Sequence, residues 1–310
     1  MPSTILFIIA SLIWGSTFWA ITLQLGHVPP AVSVVYRFSL AALILFAFCK
    51  VRGDRLTLPW PLQRYLMLQG LASFCISYVC TYSAEQYLVS ALVAILFALM
   101  VIWSPLGEHL MYQTPLGWRI WAAASMAIGG VLLLFSPALS GDWKNTPHFA
   151  LGLGLAFVAT LASTCGNLLV QKIRQHSSNV PLTMAWAMAW GAIWVTLWVL
   201  VTGQRWVWPD QPRYWFSLLY LAIFGTIIAF GCYFVLIHRV GARVGAYISV
   251  VTPVISVLLS IKLEHYQPGA LEWLGMVLCL AGVAWAIMDN NAPPAPPAPP
   301  VNLSQHPEPS

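Results

Sequence analysis

The chain has 310 residues, of which 59% are hydrophobic and only 7% charged. A soluble domain carries roughly a quarter charged residues, so this composition excludes a water-solvated globule. The net charge of +5 is small and scattered over connections, which argues against nucleic acid as a partner.

Ten apolar runs follow one another, each near the ~20 residues that cross a bilayer as a helix. The first, Ile5–Gln24, continues too far to be a cleavable signal and is expected to remain as an uncleaved span. The second, Ala31–Cys49, opens after Pro29-Pro30 and holds Arg37. The third and fourth, Tyr65–Ala84 and Tyr87–Met111, are separated only by Glu85 and Gln86. One helix over both would be too long for a membrane, so a tight turn is expected there. Leu116–Ser136, Phe149–Val170 and Leu182–Val201 come next, broken by Ser136-Pro137 and Asn179-Val180-Pro181. Trp215–Ile237, Val244–Ile261 and Pro268–Met288 complete the set. Residues 290–310 form a different material: Ala292 to Pro300 reads APPAPPAPP, a polyproline-type tract expected to be a solvated tail.

An even number of spans puts both ends of the chain on one side. Connections after even-numbered runs carry nine basic residues (Lys50, Arg52, Arg55, Arg64, Arg119, Lys172, Arg174, Arg239, Arg243). The opposite connections carry four, Lys144, Arg205, Arg213 and Lys262. The positive-inside rule therefore predicts cytoplasmic termini in a multi-pass protein of the cell (inner) membrane, with Glu85 and Asp142 facing outward.

A shift of 152 residues brings Trp121 onto Trp273, Gly117 onto Gly269 and Gly130 onto Gly282. Runs three to five thereby match runs eight to ten. The fold class predicted is an all-α membrane protein with ten transmembrane helices in two inverted five-helix repeats, 1–137 and 138–289. Inverted repeats commonly frame alternating-access transporters, with the substrate site near midplane between the halves.

Several phrases resemble the EamA-type transporters of the drug/metabolite transporter superfamily. They include Ile13-Trp14-Gly15-Ser16-Thr17-Phe18, Arg37-Phe38 after a proline, and Gly225-Thr226. The stretch from Tyr233-Phe234 to Arg239-Val240-Gly241-Ala242, then Thr252-Pro253-Val254, Glu264, Gly275 and Gly282 add to it. The first copy departs from the family pattern with Val101 opposite Pro253 and Tyr112 opposite Glu264. The resemblance implies ten spans, a central cavity and movement of metabolites or amphipathic compounds, usually outward.

Arg37 is the only basic residue well inside a run. A charge at the bilayer centre costs about 2.5–3.5 kcal/mol on insertion scales, so it is expected to face a partner or a wet cavity rather than snorkel. Trp186, Trp190, Trp194 and Trp198 recur every four residues and form one stripe, which either walls a cavity or packs between helices. Ser16 and Thr17 of run one are expected to face Thr164, Cys165 and Asn167 of run six, the equivalent span. Tyr78, Tyr82, Tyr233 and Tyr247 supply further polar side chains in or near mid-span. The substrate-binding set predicted is Trp14, Ser16, Thr17, Arg37, Tyr78, Tyr82, Asn167, Trp186, Trp190, Tyr233 and Tyr247, with Pro253 as a hinge. Pro253 is expected to kink run nine, leaving run four, with Val101, the straighter of the two. Glu108-His109 and Glu264-His265 read as solvated helix ends.

The six cysteines fall in apolar stretches without a CxxC pair and read as small buried hydrophobes. No phosphate loop, HExxH or Ser-His-Asp set appears, so an enzyme is not expected, nor a cofactor or metal. The function expected is secondary transport, an exporter of small amino-acid-like or amphipathic metabolites; the alternatives are a lipid or lipid-carrier flippase and a membrane scaffold. Expected partners are a small-molecule substrate and membrane lipid, with a homodimer as the candidate assembly.

Overall fold

Where water is scarce, each backbone N–H and C=O must be satisfied within its own segment, and an apolar run of ~20 residues achieves this as a helix. The computed structural model describes residues 2–113, 116–136, 148–240 and 242–288, and every regular element among them is helical. The proline-rich tract, Asp142 and Lys144 lie outside the described residues.

In chain order the helices are α1 (Ser3–Thr22), α2 (Pro30–Val51), α3 (Trp60–Gln69), α4 (Ser77–Ala84), α5 (Ser90–Ala98), α6 (Met100–Tyr112) and α7 (Trp118–Leu134). There follow α8 (Phe149–His176), α9 (Val180–Val201), α10 (Pro212–Ala222), α11 (Ala229–Val240), α12 (Ala242–Leu263) and α13 (Ala270–Met288). Two π-helical segments, π1 (Gly70–Ile76) and π2 (Ile223–Ile228), join α3 to α4 and α10 to α11. Among the described residues, seven stretches are long and apolar enough to cross a membrane, and Ile120–Leu134, Ile248–Leu263 and Ala270–Trp285 are shorter apolar helices.

The tight turn expected after Ala84 is present: Tyr87 and Leu88 both donate to the Ala84 carbonyl, and α5 starts at Ser90 after an extended Val89. Run four is not the straight helix that Val101 suggested. It breaks at Leu99, where Leu99 donates to Leu96 and Ile102 donates to Leu99, three-residue bonds that tighten the chain. Pro105 lies in the following turn of α6 and has no N–H to donate to Val101. Helix α12, by contrast, is assigned as one helix through Pro253.

Packing follows a reciprocal order. α2 lies along α9, and α7 along α13; α1 packs on α11 and α12, while α8 packs on α4, α5 and α6. Small residues set the closest seams. A Cβ on Gly130 would come within 2.4 Å of the Cys279 backbone nitrogen, so only glycine lets α7 and α13 approach this closely. The expected faces of α1 and α8 are corrected by this order: Ser16 and Thr17 look toward α10 and π2. Thr164 of α8 bonds back to the Thr160 carbonyl at 2.9 Å, and Cys165 and Asn167 are exposed.

The ends of the helices form two layers. At one, Arg52 after α2 donates to Asn179, the N-cap residue of α9, at 2.8 Å. At the other, Gln211 contacts His27 at 3.4 Å and Ser90 meets Glu264 at 3.2 Å.

Candidate functional site

Arg37 sits in the second turn of α2, roughly 10 Å of helix rise from its start. Its side chain is 1% exposed, the bulkiest fully buried one among the described residues. Three elements converge on it. Nε and Nη2 both donate to the Thr226 hydroxyl of π2 at 3.2 Å, and Nη1 donates to the Tyr82 hydroxyl of α4 at 3.4 Å. The guanidinium carbon lies 4.7 Å from the Tyr78 ring centroid and 5.5 Å from that of Phe38, which suits a planar cation on aromatic faces.

The π-segments shape this cluster. Thr226 accepts from Arg37 and passes its own proton to the Leu221 carbonyl, five residues back, at 2.8 Å. Gly225 beside it carries no Cβ; one built there would come within 2.7 Å of the Thr17 methyl and 3.4 Å of Arg37 Nη2. Segment π1 leads into α4, which supplies Tyr78 and Tyr82. Short π-helical turns inside longer helices often mark functional sites, and both here flank Arg37.

Other predicted residues cluster beside this centre. Ser16 and Tyr220 share a hydrogen bond of 2.6 Å, Thr17 is buried, and Trp14 packs at 5.1 Å centroid distance on both Phe230 and Tyr233. Trp186 and Trp190 lie elsewhere, at the interface of α9 with the α3 region. Their indoles donate to the Leu56 carbonyl and to Gln63 Oε1, each at 2.8 Å, and Trp194 donates to the Met67 carbonyl at 3.2 Å. Asn167 is exposed on α8, Pro253 is buried within α12, and the side chain of Tyr247 lies outside the described residues.

Two acids depart from their expected setting. Glu85 does not face water: it is 6% exposed in the turn between α4 and α5, and neither carboxylate oxygen has a hydrogen-bond partner among the described residues. Burial holds its carboxyl well above the usual carboxylate range, the charge of Glu264 pushes the same way, and Arg37 pulls against both. Glu264 is not a freely solvated helix end. It accepts from the Ser90 backbone N–H at 3.2 Å, from the Ser260 hydroxyl at 2.9 Å and from the Ser90 hydroxyl.

Thr226 and Glu85 are the site residues that sequence reasoning did not select. Gly225-Thr226 was visible as a paired small and hydroxyl residue in mid-run. Glu85 stood between two runs separated by two residues, a spacing too short to carry a side chain far from the helices.

Two depressions open at the surface. One, of about 490 Å³, lies beside His27, Gln86 and Arg205; the other, of about 360 Å³, is an apolar groove between Ala42 and Phe46 of α2 and Ala192 and Thr196 of α9. Arg37 lines neither, so this conformation is closed around it.

The chain matches the EamA-like transporter family over residues 1–136 and 150–288. It is 24% identical over 270 residues to the inner membrane transporter YedA of Escherichia coli, covering 86% of this chain and 84% of that one. A probable amino-acid metabolite efflux pump of Salmonella typhimurium is 27% identical over 295 residues, covering 87% and 90%. Among solved structures, one crystal structure superposes with a TM-score of 0.64 at 19% identity over 92% of this chain and 96% of the other. At that identity the likeness speaks for the fold alone.

Proposed function

This chain belongs to the EamA-like transporter family and is a multi-pass membrane transporter; from that premise we propose that it exports small amphipathic metabolites of the amino-acid class by alternating access. The observation that carries the reading is Arg37, a fully buried cation whose hydrogen-bond and ring partners among the described residues are all neutral. A guanidinium has five N–H groups, and three hydrogen bonds engage it, to Thr226 twice and Tyr82 once. Among the described residues the one ion pair is Arg52–Asp54, so the natural complement to Arg37 is a carboxylate brought by the substrate. Thr17, Tyr78, Tyr82 and Thr226 then orient that substrate, with Trp14, Ser16 and Tyr233 behind them. The name of the Salmonella relative, a probable amino-acid metabolite efflux pump, supports outward movement of such a metabolite.

Three features support two inverted halves, 1–137 and 138–289, with ten spans once the shorter helices are included. The π-segments recur at 70–76 and 223–228, close to the 152-residue shift. Burial repeats in the same order along residues 32–53 and 182–203. Helix α1 packs on α11 and α12 as α8 packs on α4 to α6. Pro253 is the hinge proposed for the second half, and the break at Leu99 its counterpart in the first. The excess of basic residues supports a cytoplasmic location for the Arg52 end and both termini, and the name of the Escherichia coli relative supports the inner membrane.

The test is metabolite efflux from cells expressing the chain against cells lacking it, with Arg37→Leu as the third arm, each normalised to inserted protein. Amino-acid metabolites should accumulate outside only in the first. Equal efflux from Arg37→Leu and the parent overturns the assignment of Arg37.

A further inference from the structure

Helix α12 carries Thr252, Ser256, Ser260 and Glu264 at a spacing of four, so their side chains form one row along the helix. At its Glu264 end the row meets α5, where the Ser260 and Ser90 hydroxyls share a 2.9 Å hydrogen bond. Ser256 and Ser260 are fully buried and Thr252 nearly so. At one end the row is saturated, because Ser90 and Ser260 supply Glu264 with three hydrogen bonds. Further in, the hydroxyl oxygens of Ser256 and Thr252 find no partner among the described residues.

Glu85 lies five residues before Ser90, its carboxylate buried and without a hydrogen-bond partner among the described residues, and the charges of Glu264 and Arg37 act on it in opposite directions. An acid kept for structure would be hydrogen-bonded, as Glu264 is, since a buried unpaired charge is among the costliest features a fold can carry. The like charge of Glu264 adds to burial in favouring the neutral form of Glu85.

We propose that Glu85 is the group that takes up and releases the proton coupled to transport, with Glu264, held by Ser90 and Ser260, as its charged neighbour. The proposal rests on the transporter reading above. Each step exchanges one O–H bond for another: a hydronium at the His27 end loses its proton to a Glu85 oxygen and is left as water, and on release the Glu85 O–H bond breaks as a water at the Arg52 end forms the new one. With Glu85 neutral, the closed arrangement around Arg37 is tolerated; with Glu85 ionised, its attraction to Arg37 competes with a substrate carboxylate, so proton and substrate exchange at one centre. The groups around this site are Arg37 of α2, Tyr82 of α4, Glu264 and His265 after α12, and Tyr87 with His148 on its ring. His27 and Arg205 lie in the depression that Gln86 also lines.

The experiment uses the full chain in lipid vesicles and two readouts. Infrared titration from about pH 5 to pH 9, where an ordinary glutamate of pKa about 4.3 is already ionised, should show a protonated-carboxyl stretch that fades with rising pH. That band should be absent from Glu85→Gln and retained in Glu85→Asp. Its absence from the parent chain throughout that range overturns the proposal, whatever the variants do. In the second readout, vesicles loaded with radiolabelled L-amino acids should lose label several-fold faster when the outside is made acidic. Glu85→Gln should still exchange label but ignore the gradient. Acceleration by a sodium gradient instead, or indifference of the parent to pH, sinks the proton site and leaves transport standing. Label that moves no faster than from protein-free vesicles under any gradient sinks the transport reading, and the coupling role with it.

Discussion

Helices α2 and α9 are each 22 residues long, each with proline in the first turn, and each leads into a glycine of positive φ, Gly53 at 85° and Gly203 at 63°. Their burial runs in the same order from 32 to 53 and from 182 to 203. They pack directly on one another. At matching positions, however, α2 has Arg37 and α9 has Ala187, each almost wholly buried. A shared scaffold explains the length, the ends and the buried face. It does not explain a guanidinium in one copy, since the other packs equally well with a methyl group. What the two helices do not share is therefore the best guide to function, and Arg37 is the largest such difference.

The strongest way to break that comparison is to exchange the two residues. Hydrogen bonds to a charged group are worth about 1.5–3 kcal/mol, so Arg37→Leu should lower transport per inserted molecule by roughly 10- to 150-fold while the protein still accumulates. Arg37→Lys keeps the charge but loses the planar fork and should fall in between. Ala187→Arg should do the opposite and fail to accumulate. The backbone of π1 runs against that residue, with the Cβ position of Gly70 only 2.6 Å from the Ala187 carbonyl. Membrane yield and transport, measured together, separate the two outcomes.

The π-segments offer a milder version. Gly70→Ala would press on backbone, 2.6 Å from the Ala187 oxygen and 2.8 Å from the Gly191 nitrogen, and should cost about 1–3 kcal/mol of stability. Gly225→Ala would press on side chains instead, the Thr17 methyl and Arg37 Nη2. Those can turn away, so its thermal midpoint should shift less and its transport drop more, by several-fold. Reversed behaviour would mean that π1, not π2, shapes the site.

Much of this was legible in the sequence because lipid leaves few choices: apolar length gives the spans, and a charge inside one must find company. Arg37 stood out for that reason. Thr226 did not, because a neutral hydroxyl in an apolar run shows no sign of a partner 189 residues away. Glu85 read as a loop charge because sequence cannot say whether a turn is covered. The straightness expected of run four came from comparing Val101 with Pro253 while Pro105 lay a turn further on. Spacing along one run is local knowledge; the neighbour that closes over a turn belongs to another.

The tryptophan stripe is a smaller difference between the helices. Trp186→Phe and Trp190→Phe each remove one indole hydrogen bond to the α3 region and should cost about 0.5–1.5 kcal/mol of stability. Transport per inserted molecule should stay at the parent's level. A selective loss of transport with stability intact would return these rings to the substrate site.

The smallest effect is expected where the helices end. After α2, Arg52 bonds Asp54 and also Asn179 at the start of α9, whereas Thr202 and Gln204 occupy the places of Arg52 and Asp54 after α9. The Arg52 hydrogen bond, helped by Asn179, holds the Asp54 carboxyl below the usual carboxylate range. A depressed carboxyl contributes stability that is present above its unfolded value, about 3.9, and lost as pH falls through its folded value. Asp54→Asn should therefore leave the thermal midpoint unchanged at neutral pH, since exposed ion pairs contribute little. On acidification below about pH 4, the parent should lose slightly more of its midpoint than the variant does. Transport should be the same in both. If Asp54→Asn instead changes the transport rate at neutral pH, the Arg52 contact joining α2 to α9 acts as a gate at this end, and Arg37 is no longer the only functional difference between the paired helices.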